Sequence, residues 1–79
     1  MADTPYMGGT FQVGAIDLAK QQITIVSKNH PPQVYLIDDY TTITLRNQKG
    51  GKLKDIKVGD EVRSWTERDY STLDSIDIW

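Results

Sequence analysis

Chemistry has few places to reside in this sequence. His30 is the single histidine and there is no cysteine, so thiol nucleophiles, thiolate metal sites and disulfides are excluded at once. His30 is also the one side chain whose unperturbed pKa lies near neutrality. It is the only metal-ligand candidate, and it sits in Lys28-Asn29-His30-Pro31-Pro32. That stretch offers neither a nucleophile nor an orienting carboxylate, and His30 otherwise reads as a solvated loop residue. Asp38 and Asp39 form an adjacent carboxylate pair. On a strand they would point to opposite faces, and in a turn one of them would accept backbone amides. Neither arrangement brings two carboxylates onto one proton or metal, as glycoside or aspartyl chemistry requires. No catalytic residue is assigned, no cofactor is implied, and a non-enzymatic role is expected.

Binding chemistry is better represented. Between residues 46 and 57, Arg46, Lys49, Lys52, Lys54 and Lys57 stand against Asp55 alone, and residues 67–79 carry Glu67, Asp69, Asp74 and Asp77 against Arg68. The chain is therefore polarised although its formal net charge is only −2. Lys49, Lys52 and Lys54 form either a solvated lysine-rich loop or a surface facing an anion, such as a phosphate, a nucleic-acid backbone or an acidic partner. Gly50-Gly51 lets backbone amides approach such an anion, but no phosphate-loop pattern is present. The aromatics are Tyr6, Phe11, Tyr35, Tyr40, Trp65, Tyr70 and Trp79. Grip on a single-stranded nucleic acid needs aromatic platforms beside a basic groove, and Tyr35 is the one aromatic on the second and third strands assigned below. Trp65, Tyr70 and Trp79 would make a partner-contact patch if they shared one exposed face. The competing reading has each of them capping an open end of a small barrel.

The elements that position these residues are strands. A chain of 79 residues permits one domain with a small core. No segment reaches the ~18–20 apolar residues of a membrane span, and Met1-Ala2-Asp3 has no signal-peptide character. Helical periodicity is weak, and alternation with β-branched residues is strong. Five strands are expected, over 10–17, 22–27, 33–38, 61–66 and 72–78, preceded by a flexible tail at residues 1–8. Gly14 inside the first strand predicts a bulge, and the parity switch between Leu73 and Ile76 predicts another near Asp74-Ser75. The residues Thr41 to Leu45 read as a short extended continuation, and Arg46 to Lys57 as a loop. Val58-Gly59-Asp60 is a turn, with Gly59 at positive φ and Asp60 bonding nearby amides. The expected core is Val13, Ile16, Ile23, Ile25, Val34, Leu36, Ile43, Ile56, Val58, Val62, Leu73, Ile76 and Ile78. By parity with Val62, Trp65 faces outward.

Short strands punctuated by turns predict an all-β, five-stranded antiparallel barrel over residues 9–79, closed or partly open, because closure removes exposed strand edges. Val13-Gly14-Ala15-Ile16-Asp17-Leu18, Ile23-Thr24-Ile25, Val34-Tyr35-Leu36-Ile37 and Asp55-Ile56-Lys57-Val58-Gly59-Asp60-Glu61-Val62 follow one another as in small bacterial OB-fold domains of exported proteins. The order resembles the periplasmic copper/silver chaperones of efflux systems. Those chaperones carry a Met-x-Met pair, which soft Cu(I) requires. The corresponding Pro31-Pro32-Gln33-Val34 has no methionine, and Met1 and Met7 lie in the tail.

The resemblance implies an OB-like fold and a periplasmic or secreted location, with a cytoplasmic one as the alternative. The expected function is a binding or accessory module that contacts another protein and acts as a monomer, without a membrane span. Metal chaperoning and single-stranded nucleic-acid binding through residues 46–57 are the alternatives. The slightly acidic balance speaks against nucleic acid as a general partner.

Overall fold

The computed structural model describes residues 11–79. The tail assigned to residues 1–8, with Met1, Tyr6 and Met7, and the strand start at Thr10 lie outside the described residues. Among the described residues the fold is all-β: β1 Phe11–Asp17, β2 Gln22–Ser27, β3 His30–Leu36, β4 Thr42–Leu45, β5 Gln48–Lys49, β6 Glu61–Glu67 and β7 Leu73–Ile78, with one 3-10 turn at Leu53–Asp55. No helix among these residues is long and apolar enough to cross a membrane.

The seven strands form one mixed sheet in the order β3-β2-β1-β6-β7-β4-β5. The all-β expectation holds; instead of five antiparallel strands there are seven in a sheet that is not closed, and β4 runs parallel to β7 with Ile43 opposite Ile76. The extra strands have local causes. Asp38 makes the chain turn after β3: its carboxylate accepts the Tyr40 amide at 2.9 Å, and Thr41 N–H reaches its carbonyl at 3.1 Å. The chain then re-enters the sheet beside β7. Within the stretch expected to be a loop, Arg46 and Asn47 both take positive φ, 47° and 70°. Two consecutive positive φ values give the twist that a two-residue hairpin needs, and β5 folds back on β4 with Leu45 opposite Gln48.

The third strand begins at His30 rather than Gln33, and it includes both prolines. Proline cannot donate to a ladder, but β3 is an edge strand with one side unpaired, where that donor is not needed. Three bulges in the β1–β2 and β6–β7 ladders, and a register shift between Ile25 and Ser27 in the β2–β3 ladder, shape the sheet. The register between β1 and β2 skips Gly14, where a Cβ would stand 2.6 Å from Val26 Cγ1. The β6–β7 register shifts between Thr66 and Glu67, which lie opposite Ser75 and Leu73 and leave Asp74 extra, and shifts again between Val62 and Ser64. The first two bulges are the expected ones.

The core is built from Val13, Ile23, Ile25, Tyr35, Ile37, Ile43, Leu53, Ile56, Val62, Leu73, Ile76 and Ile78, with Phe11, Ile16, Leu45 and Trp65 packed against it. Four expected core positions need correction. Val34 is 52% exposed and Leu36 38%, because β3 turns Tyr35 and Ile37 inward instead. Val58 is 64% exposed, since it stands at the tip of the Gly59 turn while Ile56 fills the space below. Ile16 is only half-buried, at the end of its strand. Gly59 has φ +97°, and Asp60 accepts the Lys57 amide at 2.9 Å, as the turn required.

Candidate partner-contact site

The two turns at one end of the sheet, β3–β4 and β6–β7, are tied together by Arg68. Its Nη1 donates to Asp38 Oδ2 at 2.6 Å, and its Nε lies 3.5 Å from Asp74 Oδ1. The guanidinium carbon sits 5.8 Å from the centre of the Tyr40 ring, within cation–π range. The Arg68 hydrogen bond holds Asp38 below the usual carboxylate range, helped by the Tyr40 amide and the Thr41 hydroxyl. Asp38 in turn raises the Arg68 pKa above its ordinary value.

Each turn is organised by an aspartate. Asp69 Oδ1 accepts the amides of Ser71 and Thr72 at 2.9 and 2.8 Å, and those bonds lower its pKa. Thr41 completes the tie: its Oγ1 donates to Leu73 O at 2.7 Å and accepts from Asp38 N at 3.1 Å. A further link crosses the gap between β3 and β7. Leu36 N–H donates to Ser71 O at 2.6 Å, and Leu36 and Thr72 form an isolated parallel bridge.

Each turn carries a tyrosine, Tyr40 two residues after Asp38 and Tyr70 directly after Asp69, and neither ring is buried. Tyr70 is 100% exposed and Tyr40 81%. Val34 and Leu36 stand on the outer face of the same edge strand whose Leu36 amide meets Ser71. A half-exposed aliphatic pair, two presented tyrosines and an arginine are therefore gathered on one polar scaffold. Tyrosine and arginine are enriched where proteins contact each other.

The residues singled out from the sequence fall in different places. Trp65 faces inward: the bulge between Val62 and Ser64 reverses its parity, and its ring packs edge-on against Phe11 at 4.9 Å and tilted against Tyr35 at 6.4 Å. Trp79 follows β7 at the far end of the β6–β7 hairpin, under Arg63 at 5.2 Å, whereas Tyr70 is in the hairpin loop. Trp65, Tyr70 and Trp79 thus share no exposed face. Tyr35 is buried, and its hydroxyl donates to Glu67 Oε2 at 2.5 Å. Burial first, and the Glu67 carboxylate next, push its pKa up against a lowering contribution from the Trp65 indole. A ring held this way is not a platform for a stacked base.

His30 opens β3 and lies 5.6 Å from the Phe11 ring. Among the described residues no group of three or more His, Cys, Asp or Glu is placed to hold a metal ion. Lys49, Lys52 and Lys54 are all exposed, on β5 and around the 3-10 turn. Lys52 lines a groove of about 310 Å³ together with Gln21, Ile37, Asp39, Thr41 and Ile43.

Sequence reasoning missed Tyr40, Arg68, Val34 and Leu36. The available signal was a repeated dipeptide, Asp39-Tyr40 and Asp69-Tyr70, each in a turn. Compared with known protein families, curated proteins and solved structures, the chain matches none.

Proposed function

We propose that this domain is a non-enzymatic binding module that contacts another protein through the end of the sheet carrying Tyr40 and Tyr70. The observation that carries this reading is the exposure of both rings on turns fixed by Arg68, Asp38 and Asp69. Mobile tyrosines on an unstructured loop would lose ordering entropy on binding. Rings presented from a hydrogen-bonded scaffold lose less, which is why such residues serve as anchors.

The architecture is proposed to be a five-stranded OB-like curl. Its support is the β3–β4 break. If β3 and β4 are treated as one interrupted strand, its first half pairs with β2. The Leu36–Thr72 bridge and the β4–β7 ladder then place the rest beside β7 in the parallel sense. The remaining order, β2-β1-β6-β7, lies between those two halves, which supports a partly open curl.

Site-specific photo-crosslinking tests the contact role. A photoreactive phenylalanine replaces Tyr70 or Tyr40, with Lys54 as the control position, in extract of the source cells. One discrete adduct is expected from positions 70 and 40, competed by unlabelled wild-type protein but not by Tyr40→Ser/Tyr70→Ser. Equal adducts at all three positions, or competition by the double variant, would overturn the reading.

A further inference from the structure

We infer that the segment recognised at the tyrosine end is cationic, an arginine- or lysine-bearing stretch that also presents aliphatic side chains. This rests on the proposed contact role of the same end and names the chemistry of its partner. The apolar part of the surface comes from Val34, Leu36 and Tyr70, which call for aliphatic side chains opposite. The charge comes from the two turns and the strand ends that flank them.

Asp38, Asp39, Glu67, Asp69 and Asp74 stand there against the guanidinium of Arg68, with Lys52 on the groove that Asp39 also lines. That guanidinium is already engaged by Asp38 and Asp74. The surplus is therefore negative after the internal pair is counted. Such a field attracts a positive segment, repels phosphates and raises the on-rate of the right partner.

The Arg68–Tyr40 contact shows the geometry the site can repeat. A guanidinium lies 5.8 Å from the tyrosine ring with carboxylates beside it. Among the described residues no cation lies over Tyr70, its ring is fully exposed, and Asp69 precedes it. A partner arginine placed over Tyr70 would find an aromatic face and a nearby carboxylate together. Asp39 accepts no hydrogen bond and forms no ion pair among the described residues and is exposed beside Tyr40, on the groove that Lys52 also lines, so its carboxylate can face a partner.

Fluorescence anisotropy with two labelled dodecapeptides tests this. The peptides share their leucine and alanine residues; one carries four arginines and the other four glutamates at the same positions. Expected is binding of the arginine peptide at least ~10-fold tighter than the glutamate peptide, weakening as salt rises from about 50 to 300 mM. Tyr70→Ser and Asp39→Asn touch no scaffold bond, and each should weaken it by at least ~3-fold.

Equal affinity for the two peptides, or no binding of the arginine peptide at millimolar concentration, overturns the cationic assignment. If both peptides bind equally and Tyr70→Ser abolishes both, the contact surface stands and only its charge preference falls. If the crosslinks at positions 70 and 40 are absent as well, the contact role itself fails. Sedimentation of the free protein identifies a second copy as the occupant if it self-associates and Tyr70→Ser abolishes the dimer, an outcome that also overturns the cationic-peptide assignment.

Discussion

Replacing Thr41 with valine removes one hydroxyl and keeps the shape of the side chain. That hydroxyl holds the β3–β4 turn to β7, donating to Leu73 O at 2.7 Å and accepting from Asp38 N at 3.1 Å. Each hydrogen bond contributes about 1 kcal/mol net, and more when the abandoned partner is shielded from water. Leu73 is fully buried and Thr41 is half-buried, so its carbonyl is poorly placed to recruit a replacement.

Against this, the added methyl gains at most ~0.8 kcal/mol if fully buried, and roughly half that at a half-buried position. The loss wins, and Thr41→Val should destabilise by about 1–2 kcal/mol. For a domain of this size that lowers the midpoint by ~5–10 °C. Thermal unfolding followed by circular dichroism reads it. Thr41→Ser keeps the hydroxyl and should recover most of the loss. A Thr41→Val midpoint within about 1 °C of wild type would show that the hydroxyl does not hold the turn to β7. A Thr41→Ser loss as large as that of Thr41→Val would show that the hydroxyl alone does not restore the tie.

Gly14→Ala places a Cβ 2.6 Å from Val26 Cγ1; overpacking of this kind costs about 1–3 kcal/mol, and urea midpoints should fall accordingly with an unchanged slope. Tyr35 has a raised pKa, so the folded state favours the neutral phenol. Its stabilisation is complete below the ordinary value of 10.0 and is lost as pH rises through the higher folded value. Stability should therefore start to fall as pH rises past 10.0, and the fall should be blunted in Tyr35→Phe, as read by a stability-versus-pH titration. Asp38 is shifted the other way. Its contribution is present above the ordinary value of 3.8 and disappears as pH falls through the lower folded value, so Asp38→Asn should remove part of the acid-side loss and loosen the Tyr40 turn in amide spectra.

Much of the fold was legible in particular residues. Gly14 and the Leu73/Ile76 parity switch each marked a bulge that the structure contains, because a glycine inside a strand and a break in alternation have few other causes. The Gly59-Asp60 turn was legible for the same reason. Trp65 was not, since the bulge that turns it inward lies at Arg63-Ser64, where neither glycine nor proline marks the extra residue. Val34-Tyr35-Leu36-Ile37 is apolar at every position, so alternation could not choose a face. The choice fell to Tyr35, which buries its ring while its hydroxyl reaches Glu67. Pro31 and Pro32 suggested a break, but position at the sheet edge made them tolerable. Arg46-Asn47 closes a hairpin without the glycine that usually announces one. The candidate contact residues were half-legible: Tyr70 was singled out from the sequence, but Tyr40 and Arg68 gained meaning only when two turns distant in sequence met.

That meeting also decides how binding and folding can be told apart at this end. The largest fully buried side chains, Val13, Ile23, Ile25, Leu73, Ile76 and Ile78, belong to β1, β2 and β7, and none is on β3. The join between β3 and the β6–β7 turn relies instead on Tyr35 and Ile37 and on short polar ties: Leu36 to Ser71 at 2.6 Å, Tyr35 to Glu67 at 2.5 Å and Asp38 to Arg68 at 2.6 Å. Hydrogen bonds of this kind fix orientation, whereas apolar burial is nearly indifferent to it. The same ties therefore hold the tyrosines in place and hold the edge strand down. A change at Arg68 or Asp38 must disturb both, and a weakened partner in such a variant would say nothing about contact. Tyr70 and Asp39 carry none of these ties, so only at those positions does a loss of binding with an unchanged melting midpoint isolate recognition from closure.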